Sequence, residues 1–277
     1  MKSFHYLDGK WVADVDLKIS AFDLSVIRGF GIFDFLRTYN KIPFRLDDHI
    51  DRLYNSAKIL GMTVPKSRKE IQSIVLKGLQ KNDIPEATIK ILVTGGNSAD
   101  GITHGDSSLL VIFGKLPVYP QENYTKGVKI ISYPYLRFLP EVKSFNYFPA
   151  VYTMQKAAKQ KAVEVLYIDE KHIVRECTRS NIFFVKNGKL ITPSETSILN
   201  GITRKVVLEI AKKHSIALIQ RDIKEQEIND FDECFMTGST IEILPTVTID
   251  SIKIGNGKVG PVTRKVMELF RKTSSSS

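Results

Sequence analysis

Two prolines divide this chain into two patterned halves. Pro117 and Pro120 lie in the segment Gly114–Tyr124, where they interrupt the periodicity of both helix and strand. Strand-like and helix-like patterns alternate on either side of this segment, which is typical of α/β or α+β domains. At 277 residues the chain is also too long for one average domain. The sequence therefore predicts a small N-terminal α/β domain over residues 1–114, a linker over 115–122 and a larger C-terminal domain with a mixed sheet over 123–277.

The composition is that of a soluble globular protein, with 43% hydrophobic and 25% charged residues. No apolar stretch approaches the roughly 20 residues that span a bilayer, and the N-terminus lacks the apolar core of a signal peptide. Cys177 and Cys234 are too few for a disulfide framework and have no metal-ligand spacing. We expect a cytoplasmic protein without a metal or a membrane partner.

The net charge of +10 raises the question of nucleic-acid binding. However, the 40 basic residues are scattered among acidic ones, and no basic block is interleaved with aromatic residues. We therefore expect no nucleic-acid partner and favour small anionic substrates.

Periodicity predicts the regular elements of each half. The first half contains a hairpin about Asp8-Gly9, strands over Gly29–Tyr39, Thr88–Thr94 and Leu109–Phe113, and helices over His49–Leu60, capped by Asp47-Asp48, and Arg68–Lys81. The second half contains strands over Val128–Tyr133, Val163–Ile168, Glu233–Met236, Thr246–Ile249 and near Ile216–Ile219, a hairpin about Asn187-Gly188, and helices over Phe148–Lys161, Thr203–His214 and Val262–Arg271. The tail Ser274–Ser277 is expected to be disordered.

A candidate nucleophilic amine follows the loop that Pro134 and Pro140 punctuate. Lys143 has the apolar and aromatic flanks V and SFNYFP, which suit the desolvated surroundings that make a lysine nucleophilic. The alternative is an ordinary solvated lysine on the surface.

A candidate carboxylate is Glu176, which follows the strand-like Ile173-Val174 and precedes a loop of small residues. From a strand end its side chain can point into a cleft and pair with a protonated ring nitrogen. The alternative is a surface glutamate paired with Arg175.

A candidate phosphate site is the segment Gly201–Thr203, at the start of an amphipathic helix whose free amides and dipole attract anions. Thr203 is alternatively an ordinary N-cap. Ser239 and Thr240 lie in a second small-residue turn, and Arg52 is a candidate cation whose alternative role is pairing with Asp48. An amine, a carboxylate and a phosphate site together match the aldehyde, ring nitrogen and phosphate of pyridoxal phosphate.

The signature extends over several separate motifs: Glu176, Thr178, Asn181–Phe183, Leu190–Thr192 and Leu199–Arg204. On these motifs the chain resembles the class IV, fold-type IV pyridoxal-phosphate enzymes, which include branched-chain aminotransferases, D-amino-acid aminotransferases and aminodeoxychorismate lyase. The resemblance extends over nearly the whole chain, through GFGIFDFLRTY, LDDHIDRLYNSA, VKSFNY and FMTGSTIEILP. It implies a two-domain fold and a homodimer whose active sites share residues of the partner's small domain.

The resemblance also implies roles for single residues. Lys143 would bind the cofactor covalently and carry the proton during catalysis, and Glu176 would pair with the pyridine nitrogen. The expected phosphate contacts are Arg52, the Ile202 amide, Thr203 and Ser239. Ser239 and Thr240 lie where the family also binds substrate, and Tyr147 resembles an active-site tyrosine, although its spacing from the lysine is one residue shorter.

Substrate preference depends on which group binds the α-carboxylate. The arginine–histidine pair of common D-amino-acid enzymes is absent, since this chain has Asp100–Ile102 there. Arg28 and Arg179 instead resemble an atypical D-amino-acid aminotransferase subgroup, with Arg37 and Phe33 as further candidates. Each arginine is alternatively a surface or interface salt-bridge residue.

We expect an aminotransferase that uses an amino acid and a 2-oxo acid in a ping-pong mechanism, with D-amino acids favoured. A branched-chain L-amino-acid aminotransferase is the second expectation and aminodeoxychorismate lyase the third. A basic anion-binding protein without enzymatic activity is the alternative from another class.

Overall fold

The computed structural model describes residues 3–275, which form two compact units. The N-terminal unit extends to Pro117 and also includes Val142–Tyr147, whereas the C-terminal unit contains Val118–Glu141 and the chain from Phe148 onwards. Lys143 therefore belongs to the N-terminal unit by its contacts, although it follows the proline-rich connection in the sequence.

The N-terminal unit is built on an antiparallel sheet of six strands in the order β2-β1-β6-β5-β3-β4. Its strands are β1 Phe4–Leu7, β2 Lys10–Ala13, β3 Gly31–Tyr39, β4 Ile42–Pro43, β5 Ala87–Thr94 and β6 Leu109–Lys115. Its helices are α1 Leu24–Ile27, α2 Leu46–Leu60 and α3 Arg68–Asn82, with a 3-10 turn over Asp14–Asp16. The predicted hairpin, strands and helices of this half are confirmed to within a few residues.

Strand β3 follows the two-residue alternation of a half-buried strand. Ile32, Asp34, Leu36 and Thr38 are fully buried, whereas the residues between them are partly exposed. Helix α2 packs against this strand with the predicted apolar stripe, because a 3.6-residue period brings its buried residues onto one face. The buried face of β3 therefore carries a carboxylate, Asp34, into the core.

The predicted cap of α2 is wrong. The helix begins at Leu46, and its N-cap residue is Arg45, which has a left-handed φ of 54° and no side-chain capping bond. Asp47 and Asp48 lie in the first turn instead, where their charges face the positive end of the helix dipole.

The C-terminal unit contains a sheet of ten strands in the order β12-β11-β10-β14-β15-β7-β8-β9-β13, with β16 paired to β15. The strands are β7 Val128–Pro134, β8 Val165–Ile168, β9 Ile173–Cys177, β10 Asn181–Lys186, β11 Lys189–Thr192, β12 Leu218–Gln220, β13 Ile223–Lys224, β14 Glu233–Gly238, β15 Glu242–Ile249 and β16 Ile252–Lys253. Three pairs are parallel and the others antiparallel, so the predicted mixed sheet is confirmed.

Four α-helices accompany this sheet. They are α4 Gln121–Lys126, α5 Phe148–Lys159, α6 Ile202–Lys213 and α7 Pro261–Ser275, and 3-10 turns cover Glu195–Ser197 and Glu225–Asp230. Helices α6 and α7 pack against β14, and α5 packs against β7 and β8. One face of the sheet is an apolar core that includes Ile182, Phe184, Cys234 and Met236.

Several predicted boundaries in this half are corrected. Helix α7 continues through Ser274 and Ser275, so the prediction of a disordered tail is wrong there, and Ser276 and Ser277 lie outside the described residues. Helix α5 ends at Lys159 rather than Lys161, because Lys161 has a left-handed φ of 56°. Helix α4 was not predicted, since its six residues are too few to display a helical period.

Candidate active site

Lys143 is buried in aromatic surroundings. The residue is 9% exposed, and its Nζ lies 4.6 Å from the centre of the Phe33 ring. The Lys143 amide donates to Ser56 Oγ at 3.2 Å, and its carbonyl accepts from the Phe33 amide at 2.9 Å. These backbone bonds hold the lysine against β3 and α2, so the alternative of a solvated surface lysine is wrong.

Phe33 and Tyr147 lie beside this lysine, in one aromatic cluster. The Phe33 ring centre is 5.4 Å from that of Tyr147 and 6.1 Å from that of Phe145. A Cβ on Gly31 would lie 2.6 Å from the Phe145 ring, so this close approach requires glycine. The N-terminal unit thus brings three of the predicted residues, Lys143, Phe33 and Tyr147, into one place.

Arg52 forms a buried ion pair with Asp34. Its Nε and Nη2 donate to the two carboxylate oxygens, each at 2.8 Å, and Asp34 is fully buried. Arg52 therefore has a buried carboxylate partner that the sequence did not indicate, and Asp48 Oδ2 lies 3.4 Å from Arg45 Nη1. A two-point contact of this kind fixes the plane of the guanidinium.

His49 completes a buried triad with this pair. Its Nδ1 lies 2.6 Å from Asp34 Oδ1, and the imidazole is 2% exposed. Burial lowers the pKa of His49, so the neutral ring donates through Nδ1–H. Burial alone would raise the pKa of Asp34, but Arg52 and His49 hold it well below its usual range.

Glu176 lies in β9 of the C-terminal unit and is 5% exposed. Arg137 Nη1 donates to its Oε1 at 2.8 Å, the Leu199 amide donates to Oε2 at 3.1 Å, and Asn181 Nδ2 lies 3.4 Å from Oε2. Arg175 pairs with Asp169 instead, so the alternative of a surface Glu176–Arg175 pair is wrong. These donors stabilise the charged form of a buried carboxylate.

The predicted anion site begins α6. Gly201 is the N-cap residue, and Ile202 and Thr203 are 7% and 5% exposed in the first turn. Thr203 is therefore the second helical residue, and its alternative role as the N-cap is wrong. The first amides of a helix have no partner within the helix and favour anions.

The turn between β14 and β15 contains Ser239 and Thr240, both of which are partly exposed. Thr240 Oγ1 lies 3.0 Å from the Tyr119 hydroxyl. At the end of β14, the buried Thr237 Oγ1 has no hydrogen-bond partner among the described residues. A buried hydroxyl without a partner is costly in an apolar environment, so a polar ligand beside this turn would be stabilised.

The three candidate substrate arginines differ in their surroundings. Arg28 is exposed at the end of α1 and donates to the Ile27 carbonyl at 2.9 Å. Arg37 Nε donates to the Thr38 carbonyl, and its guanidinium lies 4.1 Å over the Tyr39 ring. Arg179 is more than half exposed, and its Nε lies 3.4 Å from the buried Glu164.

Four supporting residues were not predicted: Asp34, His49, Arg137 and Asn181. Asp34 had a signal, because a carboxylate on the buried face of an alternating strand requires a cation or several donors. Asn181 stood in the signature motif without a role. Arg137 had no signal, since 39 residues separate it from Glu176.

Residues 31–249 match the model of the amino-transferase class IV family. The chain belongs to this family. It is therefore a pyridoxal-phosphate-dependent transaminase, and the predicted family, fold class and cofactor are confirmed, whereas the alternative of a non-enzymatic anion-binding protein is contradicted.

Relatives within the family are named for two different substrates, branched-chain amino acids and D-alanine. The chain is 36% identical over 272 residues to a Methanocaldococcus jannaschii protein provisionally named a branched-chain-amino-acid aminotransferase, covering 96% of this chain and 94% of the relative. It is 33% identical to the D-alanine aminotransferase of Listeria monocytogenes serotype 4b (strain F2365), covering 87% and 86%. The crystal structure of the branched-chain aminotransferase from the thermophilic archaeon Thermoproteus uzoniensis with norvaline matches with a TM-score of 0.91 and 27% identity, covering 100% of this chain and 96% of that one.

Residues 3–275 contain neither a membrane-spanning helix nor a metal-binding group of side chains. No described helix is both long enough and apolar enough to cross a membrane. Histidine, cysteine and acidic side chains form no group able to hold a metal ion in this part of the chain.

Asp34→Asn is expected to destabilise the protein by about 3–5 kcal/mol, because it removes the charge of the buried carboxylate that binds the Arg52 guanidinium at two points. The folded-state pKa of Asp34 is depressed, so this contribution is fully present above the unfolded pKa near 4 and is lost as pH falls through the folded pKa. Urea unfolding should therefore show a constant difference from wild type between about pH 5 and 8, and a smaller one in strong acid.

The matched control is Asp83→Asn, which removes one partner of the exposed Lys41–Asp83 pair. Asp83 has a left-handed φ of 42° that asparagine also adopts readily, so the control should unfold as wild type does. Equal stabilities of Asp34→Asn and wild type at pH 7 would contradict the interpretation of the triad as a stabilising core element.

Proposed function

We propose that this transaminase moves the amino group of an amino acid, preferably a D-amino acid, to a 2-oxo acid such as 2-oxoglutarate or pyruvate. The transfer takes place in two half-reactions, as in a ping-pong mechanism. The observation that carries the catalytic part is the buried Lys143, with its amine 4.6 Å from the Phe33 ring centre. An amine desolvated by aromatic neighbours is suited to covalent catalysis.

Each unit contains buried polar groups of the kinds that would hold pyridoxal phosphate. When bound, this cofactor supplies an aldehyde that attaches to the amino group and a ring that withdraws electrons from the neighbouring C–H bond. In our proposal Lys143 holds the aldehyde and Glu176 the ring nitrogen. The phosphate would be held by Arg52, the Ile202 amide, Thr203 and Ser239.

Glu176 fits the ring nitrogen because its environment favours the charged carboxylate. Donation from Arg137 and from the Leu199 amide stabilises the anion in a buried position. A fixed negative charge of this kind stabilises a protonated ring nitrogen. Tyr147 would contact the cofactor from the aromatic cluster of the N-terminal unit.

Lys143 Nζ would also take the proton from the substrate Cα. It would deliver this proton to the cofactor carbon that receives the amino group. Such proton transfer requires an amine within hydrogen-bond reach, protected from bulk water. The Phe33 ring beneath Nζ supports this role, because it covers one side of the amine.

The preference for D-amino acids rests on Arg28 and Arg179, which we propose bind the substrate carboxylate. Each is an exposed arginine, and a guanidinium binds a carboxylate at two points. The Ser239 and Thr240 amides, Phe33 and Arg37 are the other proposed substrate contacts. The missing arginine–histidine pair at Asp100–Ile102 supports a different carboxylate site in this chain.

The second candidate is a branched-chain L-amino-acid aminotransferase. The identity of 36% with the M. jannaschii relative favours it, as does the aromatic cluster at Lys143, which would accept an aliphatic side chain.

We also propose that the enzyme acts as a homodimer, in which the partner's N-terminal unit contributes to each active site. The N-terminal unit exposes three large apolar side chains, Phe22, Val26 and Ile102, which are 58–74% exposed and which we propose form one apolar patch. A second copy of the chain is the proposed partner, and Arg28 lies at the end of the same helix as Val26.

Lys143 is predicted to be the residue that binds the cofactor covalently. Reduction of the purified yellow protein with borohydride, followed by peptide mass spectrometry, should find the cofactor on the peptide containing Lys143. Lys143→Ala should lower turnover by more than about a thousandfold, because both the covalent link and the proton carrier are lost.

The control is Lys156→Ala, since Lys156 Nζ also lies over aromatic rings, 4.8 Å from the Tyr133 and Tyr152 ring centres. This variant should keep its turnover. Label on any other lysine would contradict the assignment of Lys143.

Arg28→Ala and Arg179→Ala are each predicted to lower kcat/KM for the preferred substrate roughly a hundredfold, or about 2–3 kcal/mol of transition-state binding. The assay compares D-alanine, D-glutamate and L-leucine. Because Arg179→Ala also leaves the buried Glu164 without its cation, Arg179→Lys is measured beside it to separate charge loss from loss of the guanidinium.

The matched control is Arg68→Ala, which removes an exposed arginine paired with Asp51 and stacked on Tyr54. A kcat/KM equal to that of wild type in both test variants would show that Arg28 and Arg179 are salt-bridge residues and do not bind the substrate. Wild-type preference for L-leucine over both D-amino acids would favour the branched-chain candidate instead.

Val26→Asp is predicted to convert the dimer to a monomer, because it places a charge in the centre of an apolar interface. Sedimentation velocity should show wild type at about twice the 31.3 kDa of one chain and the variant at one chain. Val118→Asp, at a residue 95% exposed outside the patch, is the control and should remain a dimer. A monomeric wild type would contradict the proposal.

A further inference from the structure

Asn181 lies beside two polar sites of the C-terminal unit, the Glu176 carboxylate and the start of α6. It is the first residue of β10 and is 4% exposed. Its Nδ2 donates to the Leu199 carbonyl at 2.8 Å and lies 3.4 Å from Glu176 Oε2. One amide nitrogen therefore faces both the buried carboxylate and the loop that precedes α6.

The oxygen of the same amide faces Gly201, the N-cap residue of α6. A Cβ on Gly201 would lie 2.0 Å from Asn181 Oδ1, closer than any side chain could tolerate. Gly201 has φ −67° and ψ 137°, which any residue adopts. A larger residue at this position would require Asn181 to move, so glycine is favoured here by the approach of Asn181 and not by the backbone conformation.

The Leu199 amide closes the arrangement by donating to Glu176 Oε2 at 3.1 Å. Glu176, Asn181, Leu199 and Gly201 thus form a connected group, which we call the Asn181 clamp. The clamp ties a carboxylate in β9 to the start of α6 through two side chains and a short loop. None of these contacts requires a bound ligand.

We propose that Asn181 is a positioning residue that fixes the first turn of α6 relative to Glu176. The inference rests on the proposed function, in which Glu176 holds the ring nitrogen and the first turn of α6 holds the phosphate. A rigid ligand with these two groups requires partners at a fixed spacing. Amide donors at a helix start are effective only when they point at the anion, so small displacements weaken binding.

A buried hydrogen bond elsewhere in the same sheet provides a control, which distinguishes the positioning role of Asn181 from general support of the fold. Thr192 is fully buried, and its Oγ1 donates to the Ile182 carbonyl at 2.8 Å. The bond resembles that of Asn181 to Leu199, but it joins β11 to β10 and involves no member of the Asn181 clamp. Thr192→Val is therefore the matched control.

The first test measures how strongly binding depends on the phosphate. Equilibrium dialysis of full-length apoprotein with pyridoxal phosphate and with pyridoxal gives two dissociation constants. The quantity of interest is the dissociation constant for pyridoxal divided by that for pyridoxal phosphate. Asn181→Ala should reduce this ratio by about tenfold or more, which is the effect typical of losing a residue that orients a ligand-binding group. Asn181→Asp should do the same, because it loses the donor to Leu199 and places a second carboxylate beside Glu176.

Thr192→Val should leave the ratio at its wild-type value, even if its thermal stability falls. An unchanged ratio in Asn181→Ala would overturn the inference. A wild type that binds pyridoxal as tightly as pyridoxal phosphate would contradict the phosphate site of the proposed function, and with it the positioning role.

The second test requires no cofactor and isolates the clamp itself. Urea unfolding of wild type, Gly201→Ala, Asn181→Ala and the double variant forms a double-mutant cycle. Gly201→Ala should destabilise the wild-type background, where its Cβ collides with Asn181, and should cost clearly less in the Asn181→Ala background. Additive effects would overturn the clamp without bearing on cofactor binding, so the two failures are distinguishable.

Discussion

The loop that leads into α6 depends on one buried carboxylate in the sheet of the C-terminal unit, Glu176. Burial of an isolated carboxylate is costly, and the usual response of a protein is to neutralise the group. Here Arg137 supplies a counter-charge, and the Leu199 amide and Asn181 supply further donors. The loop before α6 is consequently tied to Glu176, so the helix start and the carboxylate are held by one set of contacts.

The N-terminal unit solves a similar problem with a different geometry. Asp34 points from the buried face of β3, where the alternation of the strand would otherwise place an apolar side chain. Helix α2 packs on that face and supplies His49 and Arg52, which lie three residues apart on one side of the helix. The cation proposed to bind phosphate is therefore oriented by the core of the unit.

The groups proposed to hold the cofactor and the groups proposed to choose the substrate differ in how deeply they are buried. Lys143, Glu176 and Thr203 are buried and are held by strands or by a helix start. Arg28 and Arg179 are exposed, one at the end of a four-residue helix and one in the turn between two strands. Loops tolerate change more readily than the elements they connect, which explains how one scaffold can serve relatives with different substrate names.

The sequence by itself determined most of the regular elements and the principal chemistry. Periodicity predicted the strands of both sheets and the long helices to within a few residues, and the motifs around Lys143, Glu176 and Gly201–Arg204 predicted the family. The sequence did not predict the cap of α2 or the short helix α4. A left-handed residue such as Arg45 is set by packing, and six residues carry no period.

Only the tertiary structure decided which groups pair with one another. Sequence proximity favoured Arg52 with Asp48 and Glu176 with Arg175, yet the structure pairs them with Asp34 and Arg137. The reason is geometric, because the strand alternation turns Asp34 toward α2. Folding likewise brings Arg137 to Glu176 across 39 residues of chain. Local pattern specifies which face a side chain occupies, whereas its partner depends on which element covers that face.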